Sequence, residues 1–273
     1  MKTRTIPSSG EALPVIGLGT WQTFDVSNHQ LNPLLENVLR KMQTAGGKLI
    51  DSSPMYGRSE FMIGNIISHI DIATNFFYAT KVWTKGLQEG IRQMESSMLK
   101  MRRTTMDLMQ IHNLTDWKTH LPVLKQWKEE GKIRYIGITH YTDSSHKELE
   151  RIIRAEKIDF VQFNYSIDAR HAEQRLLDAA ADLGVATLIN RPFGEGSLFR
   201  KVEGKPLPPW ALELNIESWS AFFLKYIIAH PAVTCVIPAT NNPQHAVENF
   251  TSDKGLSLTI KEKNKMIDYL NQL

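Results

Sequence analysis

The chain has 273 residues, of which 42% are hydrophobic and 22% are charged, and its formal net charge is +3. This apolar fraction can bury a large core, which excludes a disordered chain, and the charge balance gives no indication of nucleic-acid binding or of a polybasic membrane anchor. The single cysteine, Cys235, excludes an internal disulfide and a cysteine-based zinc site. Length alone allows one large domain or two small ones.

The N-terminus carries charge but lacks the apolar segment of a secretory signal, and Lys225, His230 and Pro231 interrupt the longest apolar stretch, residues 219–239. We therefore expect a cytoplasmic protein that does not span a membrane. The nine histidines show neither HxH nor HxxxH spacing, so no metal site is predicted. No obligate protein partner is indicated.

Eight short apolar or β-branched segments recur along the chain, and each ends in a polar or glycine-rich stretch. Nearly continuous hydrophobicity is typical of strands that are buried on both faces, and helical patterns lie between these segments. We predict an α/β fold, a (β/α)8 TIM barrel formed by residues 1–273 as a single domain. A doubly wound sheet is the alternative. The predicted strands are residues 15–19, 48–51, 76–81, 107–112, 134–139, 159–164, 185–190 and 234–238.

Several local signals complete the predicted fold. A helix over about 122–130 is expected, another begins near residue 217, and Ser145 with Glu148 has the spacing of a capping box. Residues 3–14 are predicted to form a short N-terminal hairpin that caps the end of the barrel opposite the active site. A long loop, residues 191–210, follows the seventh strand on the active-site end. Two apolar stripes predict inward helix faces formed by Ile91, Met94, Met98 and Leu99, and by Leu176, Leu177, Ala180 and Leu183 before Gly184.

Polar side chains end three successive predicted strands. Asp51, Lys81 and His112 lie at the ends of strands two, three and four, and Tyr56 follows Asp51 in the next loop. Catalytic groups of barrels come from these strand ends, so the four side chains could converge. Each also has a simpler explanation: Asp51 as a helix cap, Lys81 as a solvated loop residue, His112 as a core histidine, and Tyr56 as a packing residue.

The four side chains together suit proton transfer to a carbonyl oxygen. A nearby ammonium favours the phenolate form of a tyrosine, which makes Tyr56 beside Lys81 a better proton donor. Asp51 would fix Lys81, and His112 would orient the carbonyl. Because this set supplies no hydride, a nicotinamide cofactor is implied. Gln22 breaks the GxGxxG pattern, so no Rossmann site is predicted.

A phosphate site is predicted after the eighth strand instead. Asn242 and Pro243 have the pattern of an N-cap and first helical residue, and helix N-termini bind phosphates.

Several segments match the motifs of a known family in order and spacing: GLGTW (17–21), Asp51 with the SSPMYG that follows it (52–57), ATKVW (79–83), MQIHN (109–113), IGITHY (136–141), VQFNYS (161–166) and IPATNNPQHAVEN (237–249). Through these segments the chain resembles the aldo-keto reductases over nearly its whole length. The resemblance implies a barrel that binds NADP(H), with NAD(H) as the alternative cofactor. It implies Tyr56 as the general acid, Asp51 and Lys81 as the groups that tune it, and His112 as the residue that positions the carbonyl.

The resemblance also implies which residues contact the ligands. Trp21, Met55 and Trp83, with His112, would line a pocket for an apolar or aromatic carbonyl compound. The implied cofactor contacts are Gly19, Thr20, Trp21, Asp51, Thr139, His140, Gln162, Asn190, Pro192, Phe193, Pro238, Ala239, Thr240, Asn241, His245, Glu248 and Asn249.

Some of these positions depart from the commonest family pattern. Thr139 and His140 stand where Ser-Asn is frequent, and Asn190 stands where many members stack a tyrosine on the nicotinamide. Ala239 and His245 stand where many members carry a lysine and an arginine. These departures are the reason why NAD(H) is kept as the alternative cofactor.

Two classes of function remain open. The first is an oxidoreductase that reduces a small-molecule aldehyde or ketone to an alcohol by hydride transfer from NADPH. The alternative is a non-enzymatic NAD(P)(H)-binding sensor or interaction protein on the same barrel. The intact set of Asp51, Tyr56, Lys81 and His112 favours the enzyme.

Overall fold

The computed structural model describes residues 1–27, 32–70, 76–255 and 257–273. A short antiparallel hairpin begins the chain, formed by β1 (Thr3–Thr5) and β2 (Ala12–Pro14). Its Ile6 and Leu13 side chains are buried in one apolar cluster with Leu49 and other residues inside the barrel. The predicted hairpin cap is confirmed.

Eight parallel strands form the central sheet, and they pair in the order in which they occur in the chain. Gly17 N donates to Val236 O at 2.8 Å, and Val236 N donates to Val15 O at 2.9 Å, which joins the first strand to the last. The predicted closed barrel is confirmed, and the doubly wound sheet is excluded. The strands are β3 (Leu18–Gly19), β4 (Leu49–Asp51), β5 (Phe77–Val82), β6 (Met106–Ile111), β7 (Ile133–Thr139), β8 (Phe160–Asn164), β9 (Ala186–Asn190) and β10 (Cys235–Val236).

Helices follow the strands and cover the outside of the barrel. In the described part of the chain, no helix combines the length and the apolar character needed to cross a membrane. The helices are α1 (Asn32–Thr44), α2 (Ser59–Ile67), α3 (Leu87–Lys100), α4 (Trp117–Glu129), α5 (His146–Ala155), α6 (Leu176–Asp182), α7 (Ser197–Lys201), α8 (Trp219–Ile228), α9 (Pro243–Phe250) and α10 (Ile260–Asn271).

Side chains alternate between the two faces of each strand, and β5 shows the consequence. Phe77 and Ala79 belong to the apolar cluster inside the barrel, whereas Tyr78 and Val82 pack among the helices. Because the side-chain period of a strand is two residues, Lys81 shares the inner face with Phe77 and Ala79. Apolar side chains thus fill the barrel near the hairpin, and polar ones occupy its opposite, carboxyl end.

Two of the predicted helix boundaries are confirmed. The Asn242 side chain accepts a hydrogen bond from Gln244 N at 2.8 Å, with Pro243 as the first residue of α9. Gly184 follows α6 with a φ of +64°, a left-handed conformation that glycine adopts without strain.

Other local predictions are wrong. The Ser145 hydroxyl lies 3.1 Å from Thr142 Oγ1, and Glu148 pairs with Arg151, so this pair forms no capping box. Helix α4 begins at Trp117 rather than near residue 122, and Pro122 lies inside it. Proline favours the first helical turn, which made Pro122 look like a start.

Two leucines assigned to inward helix faces are exposed instead. The exposed fraction is 80% for Leu99 and 41% for Leu183. Both lie at the C-terminal ends of their helices, in the last turn of α3 and just after α6. At these ends the apolar stripe extends beyond the part of the helix that packs on the barrel.

Candidate active site

An ion pair between Asp51 and Lys81 lies inside the carboxyl end of the barrel. Lys81 Nζ is 2.6 Å from Asp51 Oδ2, and the exposed fractions of the two side chains are 0% and 3%. Lys81 Nζ also donates to Ser52 O at 2.7 Å. Burial alone would lower the pKa of Lys81, but the Asp51 carboxylate and the Tyr56 hydroxyl raise it above its ordinary value. Lys81 is therefore a buried ammonium.

The second oxygen of Asp51 accepts hydrogen bonds from two glutamines on neighbouring strands. Gln110 Nε2 donates to Asp51 Oδ1 at 2.8 Å, and Gln162 Nε2 donates to the same atom at 3.0 Å. Gln162 Nε2 also lies 3.1 Å from Gln110 Oε1. Donors from β5, β6 and β8 thus surround one carboxylate, which excludes the simpler explanation of Asp51 as a helix cap.

The Tyr56 side chain lies beside this pair. Lys81 Nζ is 5.0 Å from the centre of the half-buried Tyr56 ring. Burial raises the pKa of Tyr56 above its ordinary value, and the charge of Lys81 together with its hydrogen bond only partly opposes this. Lys81 lowers the pKa of Tyr56, as predicted, but burial raises this pKa by more. Tyr56 consequently keeps its proton at neutral pH, as a proton donor requires.

His112 completes the group predicted from the strand ends. Its ring centre lies 5.8 Å from that of Tyr56 and 6.3 Å from that of Trp83. Burial, followed by the charges of Lys81 and His140, lowers the pKa of His112 to about 2. The ring is therefore neutral and carries a single N–H. Its Nδ1 lies 2.9 Å from the hydroxyl oxygen of Ser53.

A polar row next to His112 continues onto β7 and β9. Thr139 Oγ1 donates to Gln162 Oε1 at 3.2 Å, and Asn190 Nδ2 donates to His140 O at 3.1 Å. Asn190 Oδ1 is buried and has no hydrogen-bond partner among the described residues. His140 Nδ1 accepts from Tyr141 N at 3.0 Å, which leaves the ring proton on Nε2 when the ring is neutral. This row offers one free acceptor and one ring N–H.

Large apolar side chains stand at the mouth of the barrel. The exposed fractions are 38% for Trp21, 38% for Met55 and 42% for Trp83. Gln93 fixes the backbone of Trp83 because its Oε1 accepts from Trp83 N at 2.5 Å and its Nε2 donates to Trp83 O at 3.1 Å. The backbone of Trp83 is therefore held in place, and its ring lies beside that of His112.

The family model for the aldo/keto reductase family matches residues 15–271. The chain belongs to the aldo/keto reductase family. Members of this family are generally NADPH-dependent carbonyl reductases, so the predicted class of enzyme, an NAD(P)H-dependent oxidoreductase, is confirmed.

Individual relatives agree with this assignment. The chain is 25% identical to an aldo-keto reductase of Gibberella moniliformis, over 90% of this chain and 86% of that protein. It is 24% identical to one of Mycolicibacterium smegmatis, over 92% of this chain and 87% of that protein. Among solved structures, an aldo-keto reductase of Klebsiella pneumoniae in complex with NADPH has a TM-score of 0.81 at 22% identity, covering 99% of this chain and 96% of that one. These similarities in structure confirm the barrel fold.

In this aldo/keto reductase the segment after β10 carries the residues predicted for the adenine side of the cofactor. Gly19 N donates to Pro238 O at 3.0 Å, which places the ends of β3 and this segment side by side. Ala239, Asn241 and His245 are exposed, whereas Thr240 is buried and its hydroxyl accepts from Asn242 N. Asn249 is also buried, and Glu248 accepts from Ser220 at 3.3 Å.

The loop after β9 carries the remaining predicted contacts. Pro192 is buried, and the half-buried Phe193 packs against Phe199 and Phe223 with ring centres 4.8 Å and 6.3 Å away. These are the last of the residues that the sequence predicts to contact a ligand. The structure brings Asp51, Tyr56, Lys81, His112, Thr139, His140, Gln162, Asn190 and Trp83 together at the carboxyl end of the barrel.

Sequence reasoning missed Gln110 and Ser53, which contact Asp51 and His112. Gln110 precedes His112 by two residues, so strand alternation alone could have placed its amide on the inner face. Ser53 carried no such signal, because β4 ends at Asp51 and strand alternation does not extend to Ser53. In the described ranges, His, Cys, Asp and Glu side chains form no cluster suited to a metal ion.

Proposed function

We propose that this chain reduces an aldehyde or ketone to an alcohol with a hydride from NADPH, and that Tyr56 is the general acid. The observation that carries the proposal is the buried Asp51–Lys81 ion pair beside a protonated Tyr56 and a neutral His112. We also propose that residues 1–273 form one domain, which is supported by the hydrogen bonds from Arg4 in β1 to the backbone at Ile228 and His230.

Each of the four side chains has a role in the proposed reaction. When bound, the reduced nicotinamide supplies the hydride that the carbonyl carbon receives. His112 donates a hydrogen bond to the carbonyl oxygen and holds it near Tyr56. The Tyr56 hydroxyl gives its proton to that oxygen as negative charge develops there. Lys81 stabilises the phenolate left on Tyr56, and Asp51 keeps Lys81 charged and in place.

The polar row on β7 and β9 fits the carboxamide of a nicotinamide. A carboxamide has N–H donors and one oxygen acceptor. Asn190 Oδ1 is the buried acceptor that has no partner among the described residues, and His140 has a ring N–H. The departure from the usual tyrosine at Asn190 is therefore compatible with cofactor binding. Thr139 and Gln162 would complete this contact.

The rest of the cofactor, beyond its nicotinamide, would extend over the loops after β9 and β10. Asn242 begins α9, whose N-terminus favours an anion. Thr240, Asn241 and His245 would face the 2′-phosphate, where Ala239 offers no charge. We propose contacts from Gly19, Thr20, Trp21, Asp51, Pro192, Phe193, Pro238, Glu248 and Asn249 with the rest of the cofactor.

The substrate proposed for this site is a small apolar or aromatic carbonyl compound. Trp21, Met55 and Trp83 present apolar surface at the mouth, next to the hydrogen-bonding group of His112. A mainly apolar pocket with few polar groups is typical of small-molecule sites.

The test is the Tyr56→Phe variant in an assay of NADPH oxidation with aromatic aldehydes. Phenylalanine keeps the ring but removes the hydroxyl, so we expect kcat to fall by roughly 10²–10⁴-fold, the usual contribution of a general acid. NADPH binding, measured by fluorescence titration, should be unchanged. Turnover within a few-fold of the wild type would refute the role of Tyr56. A wild-type protein that binds NADPH but reduces no carbonyl compound would favour the sensor alternative.

A further inference from the structure

A single buried serine connects the two side chains that would act on the carbonyl oxygen. Ser53 has an exposed fraction of 0% and lies in the turn between β4 and Tyr56. Its backbone oxygen accepts a hydrogen bond from Tyr56 N at 3.0 Å. Its hydroxyl oxygen lies 2.9 Å from Nδ1 of His112. Ser53 therefore contacts the backbone of one group and the ring of the other.

The hydrogen bonds of Ser53 decide which nitrogen of His112 carries the proton. Met55 N donates to Ser53 Oγ at 3.3 Å, so this oxygen already acts as an acceptor. The hydroxyl hydrogen of Ser53 finds its acceptor, within the described parts of the chain, at His112 Nδ1. The opposite tautomer would leave a fully buried hydroxyl hydrogen without a partner, which is unfavourable.

The proton of the neutral ring consequently lies on Nε2. Among the residues that the structure describes, the His112 ring makes its hydrogen bond through Nδ1, so the N–H at Nε2 can donate to a ligand. A histidine with its proton on Nδ1 would present a lone pair at Nε2, and a carbonyl oxygen would be repelled by it.

We propose that Ser53 is a positioning residue that holds His112 in the Nε2–H tautomer, ready to donate to a substrate carbonyl oxygen. The substrate part of this inference rests on the proposed function. The tautomer itself does not, because it follows from contacts within the protein. Ser53 acts through His112 and touches neither the substrate nor the cofactor.

The wild-type protein labelled with ¹⁵N-histidine provides the first measurement. Long-range ¹H–¹⁵N correlation spectra distinguish a protonated ring nitrogen from an unprotonated one, and a His112→Gln variant identifies the signals. We expect Nε2 to be protonated and Nδ1 to be unprotonated. A proton on Nδ1 overturns the proposal, whatever reaction the protein catalyses. If the tautomer is as expected but no carbonyl compound is reduced, the proposed function fails and the positioning of His112 stands.

The Ser53→Ala variant provides the second measurement. It removes the donor to Nδ1, so we expect signals of both tautomers and a fall in kcat of about five- to tenfold, the loss of one ordinary hydrogen bond. NADPH affinity should not change, and Ser53→Thr, which keeps the hydroxyl, should recover most of the activity. An unchanged tautomer and kcat in Ser53→Ala would overturn the proposal.

Ser166→Ala is the matched control. Ser166 is also a buried loop serine that donates one hydrogen bond and accepts one, since its hydroxyl contacts Asp168 Oδ1 at 2.5 Å and Ala169 N at 3.1 Å. The Ser166→Ala variant measures the effect of losing such a hydroxyl at a position away from His112. We expect a similar decrease in thermal stability but normal kcat and an unchanged His112 spectrum. An equal loss of kcat in both variants would show a general structural effect and overturn the proposal.

Discussion

The α-carbon of Gly57 lies against the carboxylate of Asp25, so that a Cβ atom added at Gly57 would be 2.3 Å from Asp25 Oδ2. Asp25 is fixed there because its Oδ1 accepts from Arg58 N at 2.9 Å. Gly57 also has a φ of +58°, in the left-handed region. This contact holds the turn immediately after Tyr56.

Gly57→Ala should therefore lose more stability than a glycine replacement that introduces backbone strain alone. Gly131 is the control, because its φ is +72° and no heavy atom lies within 4 Å of an added Cβ. Gly131→Ala should cost roughly 1–2 kcal/mol of unfolding free energy from the left-handed conformation. Gly57→Ala should cost about 1 kcal/mol more, because Asp25 must release Arg58 N. Equal losses of unfolding free energy for Gly57→Ala and Gly131→Ala, measured in urea, would contradict the contact. When Gly57→Ala is combined with Asp25→Ala, the extra cost of Gly57→Ala should disappear.

Removal of Lys81 should lower the stability of the fold as well as the rate of the reaction. Lys81→Met leaves the Asp51 carboxylate buried without its cation, and breaking such a pair typically costs about 3–5 kcal/mol. The double variant Asp51→Asn/Lys81→Met removes both charges and should recover much of that loss. Unfolding curves of the single and double variants measure this difference. If both are equally unstable, the charge of Asp51 is not the cause.

Acid should destabilise the protein partly through His112. The pKa of this ring is lowered from 6.5 to about 2 in the folded chain. Between those values the unfolded chain binds a proton at His112 and the folded chain does not, so the unfolding free energy must fall as the pH falls below about 6.5. His112→Gln should make this decrease shallower by about 1.4 kcal/mol per pH unit between roughly pH 6 and 4. Identical slopes for wild type and variant would show that the folded ring accepts a proton.

The cofactor preference should depend on His245 if this side chain contacts the 2′-phosphate of NADPH. This phosphate carries about −1.5 to −2 charges, and an imidazole N–H can donate a hydrogen bond to it. Because Ala239 offers no charge at the next position, we expect NADPH to be preferred over NADH by a modest margin. The ratio of kcat/KM for the two cofactors measures it.

The His245→Ala variant should reduce that preference. A large preference that survives His245→Ala would instead favour the exposed cations Arg200 and Lys201 of α7 and Lys205 after it. A preference for NADH would refute the proposed NADP(H) specificity.

The barrel could be predicted because the hydrophobic pattern of each strand indicates whether that strand is buried. The run that ends at Lys81 is apolar on both faces, and this pattern needs no knowledge of distant residues. The prediction of Asp51, Lys81 and His112 as neighbours followed from their positions at successive strand ends. The apolar stripe containing Leu99 was less informative, because periodicity does not reveal where a helix stops packing.

The details of the site depend on contacts that sequence spacing does not contain. Gln110 and Gln162 reach the same oxygen of Asp51 only because the closed sheet brings β6 and β8 around β4. The raised pKa of Tyr56 arises mainly from burial, which depends on everything that surrounds the ring. Its neighbour Lys81 could be predicted, but the balance of the two effects could not.

The polar contacts of Asp51 have a consequence for how the strands align during folding. A slip of one residue in β5 would turn Lys81 outward and bring Thr80, which donates to Glu60 Oε1 at 2.5 Å, into the interior. A misaligned barrel would thus leave two ionisable groups without their partners, Asp51 inside the barrel and Glu60 outside it. A buried carboxylate without its cation is costly, so the Asp51–Lys81 pair at the centre of the proposed chemistry should also disfavour misaligned strands.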